Sequence, residues 1–146
     1  MQLRQKAMMA ATLLMSAYST LSGAAEPIKS EESEWIFITE NVDYTRLYSG
    51  KSGTFELTST KAGNSVAMIL GQIEDKTNKS ITYGKWYVST NDCEAGMGKL
   101  VFLTISGEFN RESEFVSSGN NIASGVADFI CSVYHLGLEE KKGKGV

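Results

Sequence analysis

Ser65-Val66-Ala67-Met68-Ile69-Leu70-Gly71-Gln72-Ile73, the polar stretch Asp75 to Lys79, and then Ile81-Thr82-Tyr83-Gly84-Lys85-Trp86-Tyr87-Val88 decide the fold. In the first run Val66, Met68, Leu70 and Gln72 lie opposite Ala67, Ile69 and Ile73, so apolar side chains fall on both faces. That is the pattern of a strand inside a sheet, not at its rim. The polar stretch is turn-like and short enough to fold the second run back antiparallel to the first. Trp86 and Tyr87 are neighbours in that second strand and point to opposite faces. One of the two rings then faces away from the core, unless helix and loops cover both faces.

Working toward the N-terminus, Lys61 to Asn64 reads as a turn and Thr54 to Thr60 as a half-buried strand, with Phe55 and Leu57 alternating with Glu56 and Thr58. Ser49-Gly50-Lys51-Ser52-Gly53 reads as a tight turn between that strand and a weaker one over Tyr44 to Tyr48. Trp35 to Ile38 is a compact apolar strand. Toward the C-terminus, Asn91 to Gly98 reads as a loop containing Cys93. Leu100 to Ile105 is a buried strand, and Phe109, Phe115 and Val116 mark a last short one. Asn120 or Asn121 then caps a helix, because an Asn side chain accepts a bond from a free amide of the first turn. Ile122, Val126, Phe129, Ile130 and Val133 make one apolar helical face, with Gly137 as its C-terminal cap. The fold class is therefore α+β: an antiparallel sheet of about six strands with one C-terminal helix packed on it, tied by a single disulfide.

The chain divides into a signal peptide (1–25), a flexible lead-in (26–34), one domain (35–137) and a charged, disordered tail (138–146). Arg4 and Lys6 precede the apolar run Ala7 to Leu21, and the small residues Ser22 to Ala25 follow it; these are the regions of a secretory leader. The run is too short for a permanent anchor, and the sequence holds no second apolar stretch long enough to span a bilayer. The expected location is periplasmic or secreted. The whole chain carries net charge −3; taking Arg4 and Lys6 from its 14 bases leaves 12 against 17 acids, net −5. That balance argues against nucleic acid and against anionic membranes as partners.

Cys93 and Cys131 are the only cysteines. In an oxidising compartment they read as a structural disulfide from the loop to the helix. There is no Cys-x-x-Cys pair for redox work, and two cysteines with the single His135 give no metal-ligand spacing. No cofactor or metal is expected.

The layout resembles the surface-adhesin E family of bacterial exported proteins. The resemblance rests on the leader, Trp35 soon after it, a ladder of short strands, Asp92-Cys93 before the strongest strand, Gly107 after it, and Cys131 in an amphipathic C-terminal helix. It covers roughly Trp35 to Tyr134. It implies an antiparallel sheet with a packed C-terminal helix, self-association in some members, which here would be a homodimer, and binding of host matrix proteins in the best-known one. Leu21-Ser22-Gly23 matches the start of a lipoprotein cleavage motif, but Ala24 stands where the lipid-bearing cysteine belongs.

Catalytic residues are not expected. His135 has no nucleophile elbow beside it, and Glu108, Glu112 and Glu114 read as a solvated acidic segment more readily than as paired carboxylates for glycoside chemistry. The glycines at Gly50 and Gly53 and at Gly96 and Gly98 lack the spacing and lysine of a phosphate loop. Tyr83, Trp86 and Tyr87 are the candidate contact residues, since an outward Tyr or Trp anchors protein interfaces well. The expected function is a non-enzymatic, exported protein-binding domain, adhesin-like or envelope-associated. The alternatives are a periplasmic immunity or inhibitor protein acting on a toxin or lysozyme-like enzyme, for which no Ser-Gly-x-x-Tyr inhibitor loop is present, and a small carboxylate-dependent hydrolase.

Overall fold

The structure is a computed structural model that describes residues 34–144, with side chains described through residue 138. The expected leader and the lead-in up to residue 33 lie outside the described residues. Among the described residues seven strands form one antiparallel sheet. They are β1 (Trp35–Glu40), β2 (Arg46–Lys51), β3 (Glu56–Ser59), β4 (Ser65–Asp75), β5 (Ser80–Ser89), β6 (Met97–Thr104) and β7 (Phe109–Val116). A short helix α1 (Thr90–Ala95) joins β5 to β6, and a long helix α2 (Ile122–Lys144) follows β7.

The spatial order is β1-β2-β4-β5-β6-β7, with β3 also on β4. β2 pairs with one end of β4 (Gly50 opposite Gly71) and β3 with the other (Thr58 opposite Val66), so the two run end to end along one edge of β4. Ser52 to Phe55 form the excursion between them. Thr54 Oγ1 ties it down, accepting from Leu70 N at 3.0 Å and donating to Lys51 O at 2.8 Å. The expected central hairpin is present: Val66 to Asp75 pairs with Ser89 to Ser80 in continuous register.

Four local expectations change. The glycine of Ser49-Gly50-Lys51 is inside β2 and not in a turn; it is needed for close approach, because a Cβ there would meet Ile69, Ile38 and Phe129 at 3.1–3.3 Å. Tyr44, expected to open that strand, is instead a turn residue at φ 59°, in a loop bracketed by Asn41 Oδ1, which accepts from Thr45 N and Arg46 N. The expected loop at Asn91 to Gly98 contains α1, capped by Ser89, whose Oγ accepts from Asp92 N, and ended by Gly96 at φ 77°. Finally, α2 runs through Gly137 to Lys144 instead of ending there. A helix-interior glycine costs only about 1 kcal/mol, and the leucines, glutamates and lysines around it are good helix formers.

α2 begins as expected at Asn121, whose Oδ1 accepts from Ser124 N at 2.8 Å. It lies on one face of the sheet, here called the inner face. Its fully buried apolar side chains are Val126, Ala127 and Ile130, with Ala123 nearly so; they belong to one core with Ala67, Ile69, Val88 and Leu100. Near its start Ser124 Oγ accepts from Val116 N of β7, while Gly125 lies so close to Thr39 of β1 that a Cβ would come within 3.2 Å. The helix thus touches both edge strands. The Cys93–Cys131 disulfide joins α1 to α2 across a sequence separation of 38.

A cross-strand row of glycines, Gly50, Gly71 and Gly84, crosses three neighbouring strands on the inner face. The row is a trough, and Trp86 fills it. A Cβ on Gly71 would fall 2.3–2.4 Å from three atoms of the indole, so the ring is pressed against bare backbone. Tyr48 and Phe102 flank it with ring centroids at 6.1 and 5.4 Å.

The β4–β5 turn is held by one carboxylate. Asp75 accepts from Thr77 N, Asn78 N and Asn78 Nδ2 at 2.9–3.2 Å and from Arg46 Nε at 3.3 Å. The Asn78 amide is the main cause that lowers its pKa below the ordinary 3.8, with Arg46 assisting. A depressed carboxylate stabilises the folded state above its unfolded pKa, and that stabilisation is lost as pH falls through the folded value. Wild type should therefore melt above Asp75→Ala at neutral pH, and the gap should close as pH drops below about 3.8. A gap independent of pH would contradict the role given to this carboxylate.

Candidate functional site: the sheet face opposite α2

The register sends Gly84, Trp86 and Val88 to the inner face and Tyr83, Lys85 and Tyr87 to the other, the outer face, on which α2 does not lie. Of the three candidate contact residues two are therefore outside. Tyr83 is 46% exposed, with its ring 5.7 Å from that of Trp35. Tyr87 is half-buried, set between its cross-strand partners Met68 and Val101. Trp86, at 2% exposure, is a core residue, and the expectation that it contacts a partner is corrected. The alternation within the dipeptide made one ring internal, and the glycine trough made it the larger one.

Sequence reasoning missed the rest of this face. Trp35 and Phe37 come from β1, with β2 and β4 between it and the β5 strand of Tyr83, and Phe37 is 54% exposed. Lys51 Nζ lies 5.9 Å over the Trp35 ring, a weak cation–π contact. Leu70, Lys85 and Leu103 form the next cross-strand row, followed by Met68, Tyr87, Val101 and Glu112. The grouping follows from the strand order: β1 pairs with β2, and Trp35 reaches Tyr83 across the sheet. The sequence carries no marker for that pairing.

Of the acidic candidates, Glu112 and Glu114 lie on one face of β7 two residues apart, and both act on Lys99. Glu112 accepts from Lys99 Nζ at 2.9 Å, and that bond is the main cause that raises the lysine pKa above 10.5. Glu108 sits in the β6–β7 turn, where its own amide donates to Thr104 Oγ1. His135 is exposed on α2, its ring 5.2 Å from that of Tyr134. It lines a recess of about 320 Å³ beside the disulfide, together with Asp128, Ser132 and Ser118. Asp128 is already engaged there, accepting from Ser118 N at 3.0 Å. Burial, with the Glu94 carboxylate second, raises the Tyr134 phenol above its ordinary value and marks a further contact between α1 and α2.

Among the described residues no group of three His, Cys, Asp or Glu side chains is placed to hold a metal, and no helix is long and apolar enough to cross a membrane. Comparison of the chain with protein-family models, curated proteins and solved structures finds no match.

Proposed function

We propose that this chain is an exported, non-enzymatic protein-binding domain whose contact surface is the outer face around Trp35, Phe37, Tyr83 and Tyr87. The observation that carries the reading is the division of aromatic side chains between the two faces. Those of the inner face, Trp86, Tyr48 and Phe102, are spent on the core, while Phe37 and Tyr83 remain half-exposed on a face that the helix leaves free. Aromatic rings with exposed apolar bodies on a rigid sheet are the side chains that carry most binding energy at protein interfaces. The disulfide supports export, because such bonds persist in oxidising compartments. The leader expected from the sequence supports a periplasmic or secreted location, and the surface-adhesin E resemblance favours an adhesin-like or envelope-associated role.

The test is alanine substitution on each side of the sheet. Tyr83→Ala and Tyr87→Ala should leave a cooperatively folded protein, and at least one should weaken retention of the native partner by about 2 kcal/mol or more. His135→Ala and Glu112→Gln should leave function almost unchanged. Loss of function in either of those two, with both tyrosine variants folded and active, would transfer the function to polar chemistry.

A further inference from the structure

On the inner face, away from α2, a recess of about 200 Å³ lies between β4, β5, β6 and β7. Its apolar wall is Ile73, Trp86 and Phe102; Asn110 and Arg111 stand at its polar side. No residue of α2 lines it. Gly84 keeps it open, since a Cβ there would fall 2.5 Å from Leu103 O and 3.3 Å from the indole nitrogen of Trp86. Arg111 Cζ sits 4.3 Å over the Phe102 ring. Among the described residues Arg111 forms no ion pair, although acidic neighbours flank it in sequence at Glu108, Glu112 and Glu114. Glu112 and Glu114 belong to the outer face, where Glu112 pairs with Lys99.

A guanidinium resting on a ring gains from the ring's quadrupole, but the ring accepts none of its five N–H donors in the manner of an oxygen. Those donors match a planar carboxylate, which Arg grips in bidentate fashion. A concave apolar wall with one convergent cation is the usual composition of a small-molecule site. The volume lies below the roughly 300–1,000 Å³ of drug-sized pockets, which limits the occupant to one ring or a short chain. We propose that this recess binds a small organic carboxylate, its apolar body against Ile73 and the edges of Trp86 and Phe102, its carboxylate on Arg111. The proposal rests on the inner-face residues Ile73, Trp86, Phe102 and Arg111 and does not depend on the protein-binding reading, although Tyr83 and Leu103 of the outer-face register also line the recess.

The full chain has two tryptophans, so Trp35→Phe leaves Trp86 as the only one and makes its emission a reporter for the recess. Titration of that variant with phenylacetate should change the emission saturably, with a midpoint at about 1 mM or below. Neutral phenylacetamide, of nearly the same shape, should need at least about ten times more. Adding Arg111→Gln should raise the phenylacetate midpoint at least about tenfold, and Arg111→Lys, which keeps the charge without the fork, by a smaller factor. Arg111 is exposed, and an unchanged melting temperature shows that the variants fold; the indole N–H resonance of Trp86 reads the same titration if melting shifts. Equal midpoints for acid and amide, an unchanged midpoint in Arg111→Gln, or no saturable change up to about 50 mM would overturn the proposal.

Discussion

Cutting Trp86 back to alanine should destabilise the domain by about 3–5 kcal/mol, the largest loss expected from any single side chain. The indole is 2% exposed, flanked by Tyr48 and Phe102 and pressed on Gly71, so its removal leaves a cavity whose floor is backbone and cannot collapse. The same geometry makes Gly71→Ala a severe change, since the added methyl would overlap the ring at 2.3–2.4 Å. Overpacking of this kind costs about 1–3 kcal/mol when neighbours can shift, and here the neighbour is a rigid bicycle in a filled core. Urea unfolding should show both variants with a lowered midpoint, and Tyr87→Ala with a much smaller change. A Trp86→Ala variant as stable as wild type would refute the placement of the indole.

The second large effect is removal of the disulfide. With a sequence separation of 38, the chain-entropy model gives about 3–4 kcal/mol for the bond, and measured losses in small exported domains run to about 2–5 kcal/mol. Cys93 and Cys131 are 6% and 8% exposed, and they tie α1 to α2 at one end of the inner face. The double variant Cys93→Ser with Cys131→Ser avoids a stray thiol, and its denaturation midpoint should fall accordingly. Non-reducing peptide mapping should recover the two cysteines in one linked species. Two free thiols in the native protein would contradict this.

The fold was legible where burial imposes a period. The β4–β5 hairpin, the Leu100 strand, the Asn121 cap and the apolar face of α2 all follow from alternation, turn chemistry and helical spacing. What was not legible depended on partners distant in sequence. Gly50 looks like a turn residue until Gly71 and Gly84 stand beside it; then its missing side chain is a packing requirement. α1 is too short for a periodic signal, although Ser89 three residues before Asp92 is a capping pattern. Ala123 and Ala127, buried beside the larger residues of the α2 face, were missed because alanine is common at exposed helix positions as well. The candidate site was half legible. Alternation separated Trp86 from Tyr87, but the pairing of β1 with β2, which adds Trp35 and Phe37 to the same face as Tyr83, is a property of topology.

The most direct measurement places a photoreactive benzoylphenylalanine at Tyr83, on the outer face, and in a second strain at Leu57, which is 49% exposed and belongs to the inner-face register. Irradiation of intact cells producing the full chain should yield a discrete protein adduct from position 83 and none, or far less, from position 57. Mass analysis of the adduct then distinguishes a second copy of this chain, a basic lysozyme-like enzyme and an envelope or host matrix protein. Absence of any adduct at position 83, or equal adducts from both positions, would contradict the assignment of function to the face opposite α2.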